Sequence, residues 1–193
     1  MAEKNPRILT DSGELSRPLN TTRLKTELRD YAIESSERFE AILMRDDHNR
    51  KRPIANSAYA KPVNIVKRTV YGVGTHLIRR KKLKTLERYL DKHSHSHDKS
   101  TGRLSSRMPP AEENPFFWMY LVTFFNDPDK TRQGWMLSRD EVSKHSRELY
   151  FAYKNEVPPE HLIGFIMQVG ARNILTYYKD KDWFSWKELP RIG

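Results

Sequence analysis

Apolar residues recur at helical spacing over residues 22–44, where Leu24, Leu28, Tyr31, Ala32, Phe39, Ile42 and Leu43 follow one another at steps of three, four and seven. That spacing predicts an amphipathic helix, with Glu27, Arg29, Asp30, Glu34, Glu37 and Arg38 forming a mixed solvated face. The polar run from Asp46 to Pro53 should end it. Pro62 is suited to the first position of a second helix, because its missing N–H would be unpaired there in any case. Val63, Val66, Val70, Val73 and Leu77 make one stripe, and Leu83, Leu86, Tyr89 and Leu90 make another displaced from it. Gly72 and Gly74, each costing ~1 kcal/mol against alanine inside a helix, predict a bend near residues 71–75 or two shorter helices joined there.

Further along, Asn114-Pro115 reads as an N-cap with proline at the first helical position, followed by an almost unbroken apolar run from Phe116 to Phe125. At 1.5 Å per residue such a run spans only ~15 Å, half a bilayer core, so it predicts a buried helix. Ser138-Arg139-Asp140-Glu141 has the pattern of a capping box, and Val142, Leu149, Tyr150 and Tyr153 continue a stripe behind it. A last helix is expected from Pro158-Pro159-Glu160 onward, apolar on more than one face through Leu162, Ile163, Phe165, Ile166, Met167, Val169, Ile174, Tyr177 and Tyr178. Alternating runs typical of strands are almost absent, so the fold class is mainly α.

These elements divide the chain into a flexible arm at 1–19, a basic helical region at 20–92, a His/Ser/Pro linker at 93–110 and a helical globular domain at 111–193. Of 21 aromatic residues, only Tyr31, Phe39, Tyr59, Tyr71 and Tyr89 precede residue 115, which places the main core in the last region. The fold is therefore expected as a basic helical N-terminal half attached to an aromatic-rich helical C-terminal domain. The absence of cysteine excludes disulfides, thiolate zinc sites and a cysteine nucleophile. With no apolar leader at the start and no run of 18 apolar residues, the chain reads as soluble, intracellular and cytoplasmic, with nuclear or virion association compatible and no membrane partner.

Charge changes the picture most. The net charge is +10, and residues 61–92 alone hold Lys61, Lys67, Arg68, Arg79, Arg80, Lys81, Lys82, Lys84, Arg88 and Lys92 against only Glu87 and Asp91. The rest of the chain is close to neutral. A helix bearing this concentration of cations suits phosphate contacts that read no bases, and Lys67, Arg68, Arg79, Arg80, Lys81, Lys82, Lys84 and Arg88 are the candidate nucleic-acid-binding residues. Tyr71 and Tyr89 lie close enough in sequence to offer stacking surfaces. The alternative use of the same helix is docking on an acidic protein, as in an assembly subunit or adaptor.

Other chemistry is weaker. His93, His95 and His97 can place two imidazoles side by side, but the surrounding serines and lysine offer no fourth metal ligand beyond Asp98, so the segment is expected as a solvated linker without a metal. Asp127 and Asp129 begin like a calcium loop, yet Arg132 stands where its glycine should be. Tyr71-Gly72-Val73-Gly74 lacks the third glycine of a dinucleotide site, and no nucleophile elbow or phosphate-binding loop is present. His145, between Val142 and Leu149, reads as a core histidine. No catalytic residues and no cofactor are expected. Trp183, Phe184 and Trp186 should fold back on the C-terminal domain, or else anchor a protein partner. The expected function is non-enzymatic binding of DNA or RNA, as a structural component of a virion, replication or ribonucleoprotein assembly.

Overall fold

The structure, a computed structural model, describes residues 7–10, 15–49, 61–94, 113–124, 137, 139–183 and 186–188. The described residues form seven α-helices and no named strand: α1 Leu24–Asn49, α2 Pro62–Arg79, α3 Leu83–Ser94, α4 Pro115–Phe124, α5 Arg139–Lys154, α6 Leu162–Val169 and α7 Ala171–Asp180. The described residues are all-α, as the apolar periodicities imply.

The short apolar helix α4 is the centre of the arrangement, packed against α1, α2, α3 and α5. Phe116, Phe117, Met119, Tyr120, Leu121 and Val122 are all buried, which explains why its sequence has no polar face. Asn114 starts the helix as expected: its Oδ1 accepts from the Phe117 N–H at 3.3 Å, and its Nδ2 donates to Ser146 Oγ on α5 at 3.1 Å.

Residues on both sides of the 93–110 segment enter one hydrophobic cluster. Tyr71 of α2 stacks on Phe116 with ring centroids 5.5 Å apart, and its hydroxyl donates to the Val157 carbonyl oxygen at 2.6 Å. The Tyr31 hydroxyl and Thr123 Oγ1 are hydrogen-bonded at 2.8 Å between α1 and α4. The linker itself lies outside the described residues from 95 onward.

Several local expectations differ from the structure. Residues 7–10 and 15–19, expected in an arm, lie on α1: Ile8, Leu9 and Leu19 are buried, and the Glu34 carboxylate accepts from the Ile8 and Leu9 N–H groups at 2.9 Å. Two adjacent apolar residues carry no periodicity, so only their tertiary site reveals them. α2 runs without a break through Gly72 and Gly74. A Cβ on Gly74 would stand 2.6 Å from Phe116 Cε1, so this glycine serves the close approach of α2 and α4, and the two shorter helices with a turn at the glycines are not formed. The last helix is two, α6 and α7, separated by Gly170 at φ 83° and ψ 130°, a conformation that L side chains rarely adopt. Its inward residues are concentrated in α6, whereas α7 buries Ile174 alone. Ser138, the expected cap of α5, lies outside the described residues.

The aromatic tail folds back. Trp183 meets Tyr150, Phe151 and Tyr178 with ring centroids 6.2, 5.7 and 6.3 Å away, and Trp186 stacks on His161 at 5.0 Å. Phe184 is outside the described residues.

Candidate nucleic-acid interface

The basic run is a corner between two helices. α2 stops at Arg79, and Lys81 takes the left-handed conformation at φ 55°. The Lys82 N–H donates to Leu77 O at 3.0 Å and the Lys81 N–H to Ile78 O at 2.9 Å, the pair of bonds that closes a Schellman motif. α3 then begins at Leu83. The single basic helix read through residues 79–88 is therefore corrected to a helix end, a tight turn and a new helix. The cause lies in the two displaced apolar stripes: Leu77 faces the core from α2, and Leu86, Tyr89 and Leu90 face it from α3, which one straight helix would not allow.

Burying those four residues turns the cations outward. Arg79, Arg80, Lys81, Lys84 and Arg88 are exposed and Lys82 is half-buried. Lys84 and Arg88 stand one turn apart on the outer face of α3. None of these six forms an ion pair with another described residue. His76, in the last turn of α2, is held below its ordinary pKa by burial and by the charges of Arg80 and Arg79, against a backbone hydrogen bond with Leu19 that acts the other way.

Two of the eight candidates stand elsewhere. Lys67 lies inside the molecule, with Nζ 2.6 Å from Glu148 Oε2, and so does not belong to the outer surface. Arg68, next to it on α2, is half-buried and a full three turns before the corner. Of the two tyrosines offered for stacking, Tyr71 and Tyr89 are both buried, Tyr71 against Phe116.

Sequence reasoning missed a cavity of 540 Å³ beside the corner, lined by Tyr71, Thr75, Arg79, Tyr153, Lys154, Glu156, Val157 and Pro159. Its far wall is the end of α5, where Glu156 is left-handed at φ 58° and a second Schellman motif is closed by Glu156 N–H to Tyr153 O and Val157 N–H to Ala152 O, both 3.0 Å. Pro158 and Pro159 signal that a helix stops here, but nothing local says that this stop faces α2. Burial raises the Tyr71 phenol above its ordinary pKa, partly offset by Arg79.

Among the described residues no group of three or more His, Asp or Glu side chains is placed to hold a metal ion, and no helix is long and apolar enough to cross a membrane. Comparison with known proteins finds no matching family model, no matching curated protein and no matching solved structure.

Proposed function

We propose that the protein is a non-enzymatic nucleic-acid-binding protein that contacts phosphate through the α2–α3 corner. The observation that carries this reading is the exposure of Arg79, Arg80, Lys81, Lys84 and Arg88, with Lys82 half-buried among them, without an ion pair to any described residue. Exposed cations that the fold does not use for its own stability are those whose conservative neutralisation should alter binding alone. Arginine forks and lysine ammonium groups on such a corner suit phosphate oxygens, and such contacts carry no base information. A structural role in a virion, replication or ribonucleoprotein assembly fits binding of that kind.

The test is the salt dependence of duplex binding. Each phosphate neutralised adds about 0.9 to the log–log slope, so four contacts give a slope of roughly −4. Replacing Arg80, Lys81, Lys82 and Lys84 by glutamine should weaken binding about equally for all sequences, flatten the slope by several units and leave the melting temperature nearly unchanged. Equal affinity of variant and wild type at several salt concentrations would overturn the reading and leave docking on an acidic protein as the use of the corner.

A further inference from the structure

We propose that the cavity between α2 and the end of α5 is a nucleotide pocket, which takes one nucleoside monophosphate unit as a free mononucleotide or as the end of a single strand held by the corner. The strand-end form rests on the nucleic-acid reading above, and the free-nucleotide form does not.

Size is the first argument. At 540 Å³ the cavity falls within the range of small-molecule sites and far exceeds the needs of a lone phosphate ion. Charge is the second. Arg79 of α2 and Lys154 of α5 bring cations to the wall from two separate helices, and neither forms an ion pair with another described residue. Lys154 Nζ is held over the Tyr150 ring at 5.8 Å and the Trp183 ring at 6.0 Å, which positions its ammonium group without neutralising it. Arg79 also opens the basic corner, so a strand tracked along the corner arrives at the mouth of the cavity.

The remaining wall suits a base. Tyr153 is half-buried and lines the space, offering a ring for stacking. The one hydroxyl proton of Tyr71 is engaged on Val157 O, so the phenol offers a ligand no donor and closes the wall. Glu156 is exposed at the cavity and rooted on a backbone that the Schellman motif fixes. Its carboxylate is an acceptor for an exocyclic amino group, such as N4 of cytosine. Two cations for a phosphate, a ring for a base and an acceptor for its edge form one nucleotide-sized constellation that the corner alone does not need.

The full chain is titrated by calorimetry with cytidine 5′-monophosphate, with cytidine, with a blunt duplex and with a 5′-phosphorylated cytosine single strand. Cytidine 5′-monophosphate should bind at one site per chain, and cytidine about tenfold or more weaker, as loss of charge-assisted hydrogen bonds requires. Lys154→Gln should weaken the monophosphate by about tenfold and duplex binding by less than about twofold, while Lys81→Gln, Lys82→Gln and Lys84→Gln together should do the reverse. Displacement of the monophosphate by the phosphorylated strand establishes the strand end as ligand; lack of displacement, with the monophosphate still bound, establishes the free nucleotide. Absence of saturable monophosphate binding at millimolar concentration, or binding indifferent to Lys154→Gln, overturns the pocket. Duplex binding indifferent to the three-lysine variant overturns the corner and leaves the monophosphate result standing by itself.

Discussion

Lys67 of α2 and Glu148 of α5 form an ion pair of 2.6 Å with side chains only 8% and 1% exposed. Ions taken out of water at this depth are held by each other, and removing one partner strands the other. Glu148→Gln or Lys67→Met alone should cost about 3–5 kcal/mol in urea unfolding, whereas Lys67→Met with Glu148→Met should recover most of that loss. Single variants within about 1 kcal/mol of wild type would show that water reaches the pair.

Gly72 and Gly74 make a matched pair on one helix. A Cβ at Gly72 meets nothing within 4 Å, and alanine there should stabilise α2 by about 0.5–1 kcal/mol. The same change at Gly74 drives a methyl group to 2.8 Å or less from two Phe116 ring atoms, and overpacking of that kind costs about 1–3 kcal/mol. Thermal melts of the two variants should therefore shift in opposite directions.

His145 should make the protein sensitive to acid. Burial, and then the charge of Lys67, lower its pKa from 6.5 to about 4, and its Nδ1 is buried without a hydrogen-bond partner. The imidazole is thus neutral in the folded state at pH 7. Between pH 6.5 and 4 the unfolded chain takes up the proton first, so stability present above 6.5 is lost as the pH falls. The loss is on the order of 3 kcal/mol, and His76, shifted in the same direction, adds to it. Denaturant midpoints across this window should fall less steeply for His145→Gln than for wild type; parallel curves would remove the histidine from the account.

The left-handed residue after α7, Lys181 at φ 55°, offers a stabilising change. Its N–H donates to Tyr178 O at 3.3 Å and that of Asp182 to Tyr177 O at 3.0 Å, a third Schellman motif with no glycine in it. Lys181→Gly should raise stability by about 0.5–1 kcal/mol, while Lys179→Gly, inside the helix, should lower it by about as much. A calorimetric comparison of the two decides the point, and loss of stability in both would mean that the lysine side chain at 181 has a contact worth more than its backbone strain.

The sequence by itself determined the helical segments, though not their breaks at residues 80–82 and at Gly170; it also determined where Asn114 and Pro62 start two of them, and that 61–92 carries the excess charge. Each of these depends on neighbours within about four residues or on composition, which the order of residues contains directly. What Gly74 is for, that Lys67 points inward while Arg79 points outward, and that Tyr71 meets Val157 across the middle of the chain were decided only by tertiary packing. Lys67 and Arg79 both belong to one basic, helical stretch, and no local pattern separates them. Separation comes from the partners: Glu148 on α5 receives one cation in a dry interior, and the Schellman turn, set by Leu77 and Leu86 facing the core from two helices, turns the other to water. The cavity beside Arg79 follows from the same cause, since its walls come from helices whose approach is governed by how Phe116 packs between Tyr71, Gly74 and Tyr153.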